Sequence, residues 1–239
     1  MNAAIHARGI GIRFLFDRDR RPVTPMRARL GFGGGEAWGF HDLSFSIGPG
    51  EGVALIGPSG SGKTTLLRAL AGVVSPDAGT LTVQGRIASL LSVEAGVMAV
   101  LTGRENAHLL GVLAGLSRAE ADARVEDIRE RSKLGEHFER PVLSYSQGMR
   151  ARLGFSVAEE IKPDILLLDE VHEALDHEFR NFVQQRAEEI LAAGGIVIAA
   201  GHDHPMLERL CGRALHLERG TLRADGPFTE IQQAYLAQV

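Results

Sequence analysis

Gly57-Pro58-Ser59-Gly60-Ser61-Gly62-Lys63-Thr64-Thr65 is the stretch whose reading decides the fold. It fits G-x-x-x-x-G-K-[ST], a loop in which glycines let successive backbone N–H groups turn inward around a phosphate. The motif requires a strand before it and a helix after it. Gly52-Val53-Ala54-Leu55-Ile56 reads as a buried strand, and Leu66-Leu67-Arg68-Ala69-Leu70 reads as a helix. The positive end of that helix would face the loop and favour an anion there. Lys63 is expected to neutralise the β and γ oxygens of a bound nucleotide, and the Thr64 hydroxyl to ligate Mg²⁺. A glycine-rich surface turn would match the pattern but not its flanks.

The rest of the chain repeats the strand–helix alternation. Residues 1–16 read as an antiparallel strand, and 40–56 as two more strands, the first ending at Gly48-Pro49-Gly50. From 88 to about 160 the pattern is helical, with Val125, Ile128 and Leu134 spaced for one apolar face. The apolar runs Ile165-Leu166-Leu167-Leu168 and Ile196-Val197-Ile198-Ala199-Ala200 then flank a further helix. Short apolar strands alternating with helices predict an α/β fold with a largely parallel sheet covered on both faces. Residues 17–38 stand apart as a charged insertion with Arg18, Arg20, Arg21, Arg27 and Arg29 before a glycine run. They read either as a solvated loop or as a contact for anionic headgroups or a membrane partner.

Composition excludes several classes. The 239 residues are 44% hydrophobic and 23% charged, ordinary values for a globular chain that buries a core unaided. A net charge of −4 argues against a general nucleic-acid binder. Cys211 is the only cysteine, so no intrachain disulfide forms, and its apolar setting suits packing. Met1 to Arg8 lack a signal pattern, and no apolar run approaches the roughly 20 residues of a membrane span. The expectation is a chain that reaches a membrane only through a partner.

Two further segments carry chemistry. Asp169-Glu170 follows the buried run 165–168, and parallel strands present ligand-binding groups at their carboxyl ends. Asp169 is thereby placed for the Mg²⁺ shell, and Glu170 for polarising an attacking water. Leu143-Ser144-Tyr145-Ser146-Gln147-Gly148-Met149-Arg150 precedes a helical run, with Ser146 suited to cap it and Gly148 in its first turn. Ser146 lies 23 residues before Asp169 (169 minus 146).

With that spacing the chain resembles the ATP-binding cassette family, whose signature motif has a serine and a glycine at this distance before the acid pair. Glu173-Ala174-Leu175-Asp176 matches the family's D-loop, and Gly201-His202-Asp203 its switch histidine. Leu217 to Gly226 matches its two-strand ending. Phe14 stands where the family places an aromatic that stacks on adenine, with Phe16 as a rival.

Tyr145-Ser146-Gln147-Gly148-Met149, Asp169-Glu170-Val171 and Leu101-Thr102-Gly103-Arg104-Glu105-Asn106 are similar to the ATPase subunits of exporters for capsular polysaccharide, O-antigen and teichoic acid. One departure is the lack of any glutamine between Gln84 and Gln147, where the family has one near the metal. Ser92 or Glu94 occupies that region.

The resemblance implies one ATPase domain over 1–239, with a RecA-like core, an antiparallel β subdomain and a helical subdomain at about 88–160. It implies ATP and Mg²⁺ as ligands, with Thr64 and Asp169 on the metal and Glu170 and His202 in catalysis. It implies a head-to-tail dimer in which Ser146, Gly148 and Asp176 of one copy meet nucleotide on the loop of another. A separate integral-membrane permease is the further partner, with the chain peripheral on the cytoplasmic face of the inner membrane. Another cargo, such as a lipid, peptide or drug, is the alternative. A soluble cassette ATPase outside transport is a more distant one.

Overall fold

The computed structural model describes residues 3–15, 36–90, 97–169, 176–201 and 204–237. Nine strands within them form two sheets. β1 (Ala4–Leu15), β2 (Glu36–Ile47) and β4 (Ala78–Gln84) make an antiparallel sheet in the order β2-β1-β4. The second sheet runs β5-β6-β7-β3-β8-β9, from β3 (Gly52–Ile56), β5 (Ile87–Leu90), β6 (Ile165–Asp169), β7 (Ile196–Ala200), β8 (Arg213–Glu218) and β9 (Thr221–Pro227). Its pairs are parallel except β8 with β9.

β3, β6 and β7 are buried at every position. Helices or the other sheet cover both faces, which is why these strands read as continuous apolar runs. Side chains still alternate between two cores. Ile165 and Leu167 join the core beneath the antiparallel sheet, where α1 (Lys63–Leu70) contributes Leu66, Leu67 and Leu70. Leu166 and Leu168 join the opposite core. There α4 (Gln147–Glu160) contributes Phe155 and α5 (His177–Ala192) contributes Phe179 and Val183. Leu207 of α6 (His204–Leu210) and Phe228 of α7 (Phe228–Leu236) complete that layer.

The helical region corrects one sequence boundary. Ile87–Leu90 is a strand paired with β6, and the first helix after it, α2, spans Gly103–Leu113. Ile87-Ala88-Ser89-Leu90 is too short, and too mixed with Ser89 inside it, to carry a period that separates strand from helix. α2 and α3 (Arg118–Ser132) both start with capping boxes, Thr102 with Glu105 and Ser117 with Glu120. They pack with α4 around Phe138, Ile128 and Leu153, a third core of their own.

Asn106, fully buried, accepts from the Met98 amide and donates to the carbonyls of Met98, Leu101 and Thr102. It thus ties the segment before α2 to the helix, while Met98, Val100 and Leu143 remain exposed beside it. Arg213 joins the two sheets, pairing with Asp225 and Glu51 and donating to the Ser46 carbonyl. Cys211 is buried, and burial pushes its thiol up to about 12, so it is inert packing as expected. No helix among the described residues is long and apolar enough to cross a membrane.

Candidate functional site

The phosphate loop joins β3 to α1 with three glycines at positive φ: Gly57 at 147°, Gly60 at 80° and Gly62 at 108°. Two of them are also required by close approach. A Cβ at Gly57 would lie 2.0 Å from the Leu217 carbonyl oxygen, and one at Gly62 would lie 2.7 Å from that of Gly39. Gly62 is the N-cap of α1 and offers no side chain to close the first turn. The amides there are left for an external acceptor. Lys63 is nearly buried and folds back over the loop, its Nζ donating to the carbonyls of Gly57 at 2.7 Å and Pro58 at 3.1 Å.

Ser61 Oγ is buried and has no hydrogen-bond partner among the described residues, an arrangement that a bound oxygen ligand would relieve. Turned-in glycines, an open helix start, a lysine and an orphan hydroxyl fit a polyphosphate.

The loop opens into a cavity of about 440 Å³. Ser59, Gly60, Gly62, Lys63, Thr64 and Thr65 line one end. Phe14, Trp38 and Gly39 line the other. Phe14 is 43% exposed, and its ring lies over Gly39 beside Thr65. The structure brings Phe14, the loop and Thr64 together around one cavity. It adds Trp38, which the sequence reading missed. The available signal was an aromatic directly before Gly39, on β2, the strand preceding β3.

Asp169 ends β6, 6% exposed. In register, Asp169 pairs with Ala200, and Ala200 pairs with Leu55. With strands about 4.8 Å apart, Asp169 stands roughly 10 Å from the end of β3 along one sheet edge. A hard cation held between Thr64 and Asp169 suits their oxygen donors.

Ser146, Gly148 and Asp176 do not line this cavity among the described residues. Ser146 is the N-cap of α4, its Oγ accepting from the Met149 amide at 3.2 Å. Asp176 is the N-cap of α5, accepting from the Phe179 amide at 3.0 Å and paired with Arg152 of α4. The Phe179 amide, and then Arg152, hold its carboxyl below the usual range. Arg152 also stacks over Phe179, 5.1 Å from the ring centroid.

At the other end of α4, the buried Glu159 pairs with Arg186 of α5 at 2.6 Å. Burial raises the Glu159 carboxyl, and Arg186 opposes that shift. Two ion pairs therefore fasten α4 to α5, neither of them visible from sequence spacing. Glu170, His202, Phe16, Ser92, Glu94 and residues 17–35 of the insertion lie outside the described residues.

Known proteins share this architecture. The sequence profile of the ABC transporter family matches residues 40–173. An O-antigen export system ATP-binding protein, RfbB of Klebsiella pneumoniae, is 38% identical over 230 residues, 96% of this chain and 91% of that protein. RfbE of Yersinia enterocolitica, of the same description, is 36% identical over 76% of each chain. The teichoic acids export ATP-binding protein TagH of Enterococcus faecalis is 36% identical over 84% of this chain but only 44% of its own length.

Among solved structures, a dimeric ATP-binding cassette in a post-hydrolysis state bound to ADP and Pi superposes with a TM-score of 0.75. It has 19% identity and covers 93% of this chain and 98% of its own. At that identity the likeness speaks for the fold.

Proposed function

The chain belongs to the ABC transporter family, and from that premise we propose that it is the ATP-hydrolysing subunit of a polysaccharide or polyol exporter. The cargo is of the capsule, O-antigen or teichoic acid type. The observation that carries this reading is the likeness to the Klebsiella protein along nearly the full length of both chains. The residues at the sheet edge support the chemistry.

Lys63 and the open amides of α1 hold the β and γ phosphates of ATP. Phe14 faces the base, and Thr64 with Asp169 holds Mg²⁺. Bound Mg²⁺ offsets the charge that builds on the phosphate oxygens. Glu170, directly after Asp169, orients water toward the γ-phosphorus, and the bond to the leaving ADP oxygen breaks. His202, just beyond β7, contacts the γ-phosphate. Ser146, Gly148 and Asp176 serve the nucleotide of a second copy in a head-to-tail dimer. Their positions outside the cavity of their own chain support that assignment.

The chain acts as one ATPase domain at the cytoplasmic face of the membrane, beside a separate permease. Closing on ATP and opening after hydrolysis gives a two-state element that the permease can follow.

Two measurements test this. Glu170→Gln should abolish turnover and accumulate an ATP-bound dimer on gel filtration; turnover at the parental rate would remove Glu170 from the mechanism. Deleting the gene should leave polymer inside the cell and none on the surface. The parental chain should restore export and Lys63→Ala should not. Normal surface polymer in the deletion strain would overturn the cargo assignment.

A further inference from the structure

Resting on the reading that Ser146 and Asp176 serve the nucleotide of a second copy, we propose that Glu159 is a positioning residue. Through its ion pairs it fixes the register of α4 against α5, and with it the places at which the two helices present Ser146 and Asp176.

Glu159 is unfavourable for stability where it stands. It is next to last in α4, where an acid opposes the negative end of the helix, and it is buried. Burial raises its carboxyl toward the neutral form, against the pull of Arg186. Apolar residues in place of such a buried pair serve stability as well or better. The geometry shows what the charge does instead. Arg186 of α5 reaches Glu159 at 2.6 Å, and Arg131 of α3 reaches it at 3.7 Å. Arg131 also pairs with Glu160 at 2.9 Å, and Arg124 of α3 donates to the Glu160 carbonyl at 2.8 Å. Three helices therefore meet at the last two residues of α4.

Two further contacts between α4 and α5 specify register less sharply. Phe155 of α4 lies edge-on to Phe179 and Phe182 of α5, at 5.8 and 5.6 Å. Apolar packing loses its single arrangement before it loses stability. Arg152 pairs with Asp176 at the near end, but that carboxylate is 52% exposed, whereas the Glu159 side chain is 5% exposed. Water and salt screen the first pair far more than the second. A buried charge pair is satisfied in one register, which is its best-attested use. A slip of α4 by one residue would carry Ser146 about 1.5 Å along α5.

The test separates register from stability. Glu159→Gln keeps the shape and an acceptor and removes the charge. Spin labels on Gln147→Cys and His177→Cys, both exposed beside the helix starts, read the separation of those starts. Cys211 is buried and stays unlabelled. The parental chain should give one narrow distance, and Glu159→Gln a shifted or broadened one. Without labels, Glu159→Gln should lower kcat at least about tenfold and leave the KM for ATP near the parental value, because the phosphate loop is untouched. Glu159→Leu combined with Arg186→Leu removes both charges, while Arg131 keeps Glu160. Its urea midpoint should match or exceed the parent's while its turnover stays low. This double variant carries the test if Glu159→Gln does not fold. Parental turnover in either variant would overturn the proposal, as would an unchanged label distance in Glu159→Gln. The two-copy reading is checked apart, by adding ATP to Glu170→Gln with Glu159 intact. Failure of that chain to dimerise on gel filtration removes the reading itself, and the role of Glu159 with it.

Discussion

Two helices of this protein begin in opposite ways. α1 starts from Gly62 in a left-handed conformation with nothing on the side chain to satisfy its first amides. α4 starts from Ser146, whose hydroxyl already accepts the Met149 amide. The first start is an open set of donors backed by a lysine, which a phosphate would complete. The second is capped within its own chain. On the function proposed above, the two ends do different work: one would capture nucleotide within its own chain, and the other, stable without it, would meet nucleotide held by a second copy.

Breaking the open start should have the largest effect. Lys63→Ala removes the charge that serves the β and γ oxygens, and ATP affinity should fall at least about tenfold, or ~1.4 kcal/mol. Calorimetry checks this, and unchanged affinity would mean that the loop is not where ATP binds.

A pair of variants at the closed start sharpens the contrast. Ser146→Ala loses the cap and should lower stability to urea by about 1 kcal/mol. Ser146→Asp caps equally well, so its stability should match the parent, while its charge repels a γ-phosphate arriving from another copy. It should bind ATP as a monomer and fail to dimerise on gel filtration. A Ser146→Asp chain that dimerises with ATP would leave Ser146 as a cap and nothing more.

The smallest effect concerns the acid beside that start. The Asp176 carboxyl is held below its ordinary value by the Phe179 amide and Arg152. Its contribution is therefore complete above the unfolded carboxyl's pKa and is lost as pH falls through the lower folded value. Asp176→Asn keeps an oxygen for the cap and should flatten the fall in stability below about pH 4. An acid-unfolding curve with the parental slope would show that the carboxylate charge adds nothing there.

What the sequence revealed follows the same division. β3, β6 and β7 were legible because each is a short, largely apolar strand between a turn or helix on either side, buried at every position. Asp169 was legible as the acid that ends such a run, and Ser146 as a cap before a helical pattern. β5 was not, since its four residues carry no period. Trp38 escaped because the bulges opposite it break the alternation that assigns a strand residue to a face. The Glu159–Arg186 and Arg152–Asp176 pairs join residues 24 or more apart, and only the packing of α4 on α5 brings them together. Local geometry writes itself into a sequence, and tertiary pairing does not.

The position of β3 sets a schedule for biosynthesis. β3 carries the phosphate loop, yet its neighbours are β7 and β8, made some 140 residues later. Gly57 further depends on the passing carbonyl of Leu217 for its close fit. On the ribosome, residues 52–65 therefore emerge long before anything can flank them, and such distant pairings form late. A nascent chain stalled before residue 196 should present the loop sequence without a nucleotide site. The cell's ATP pool would then stabilise only chains whose β3 has found both neighbours.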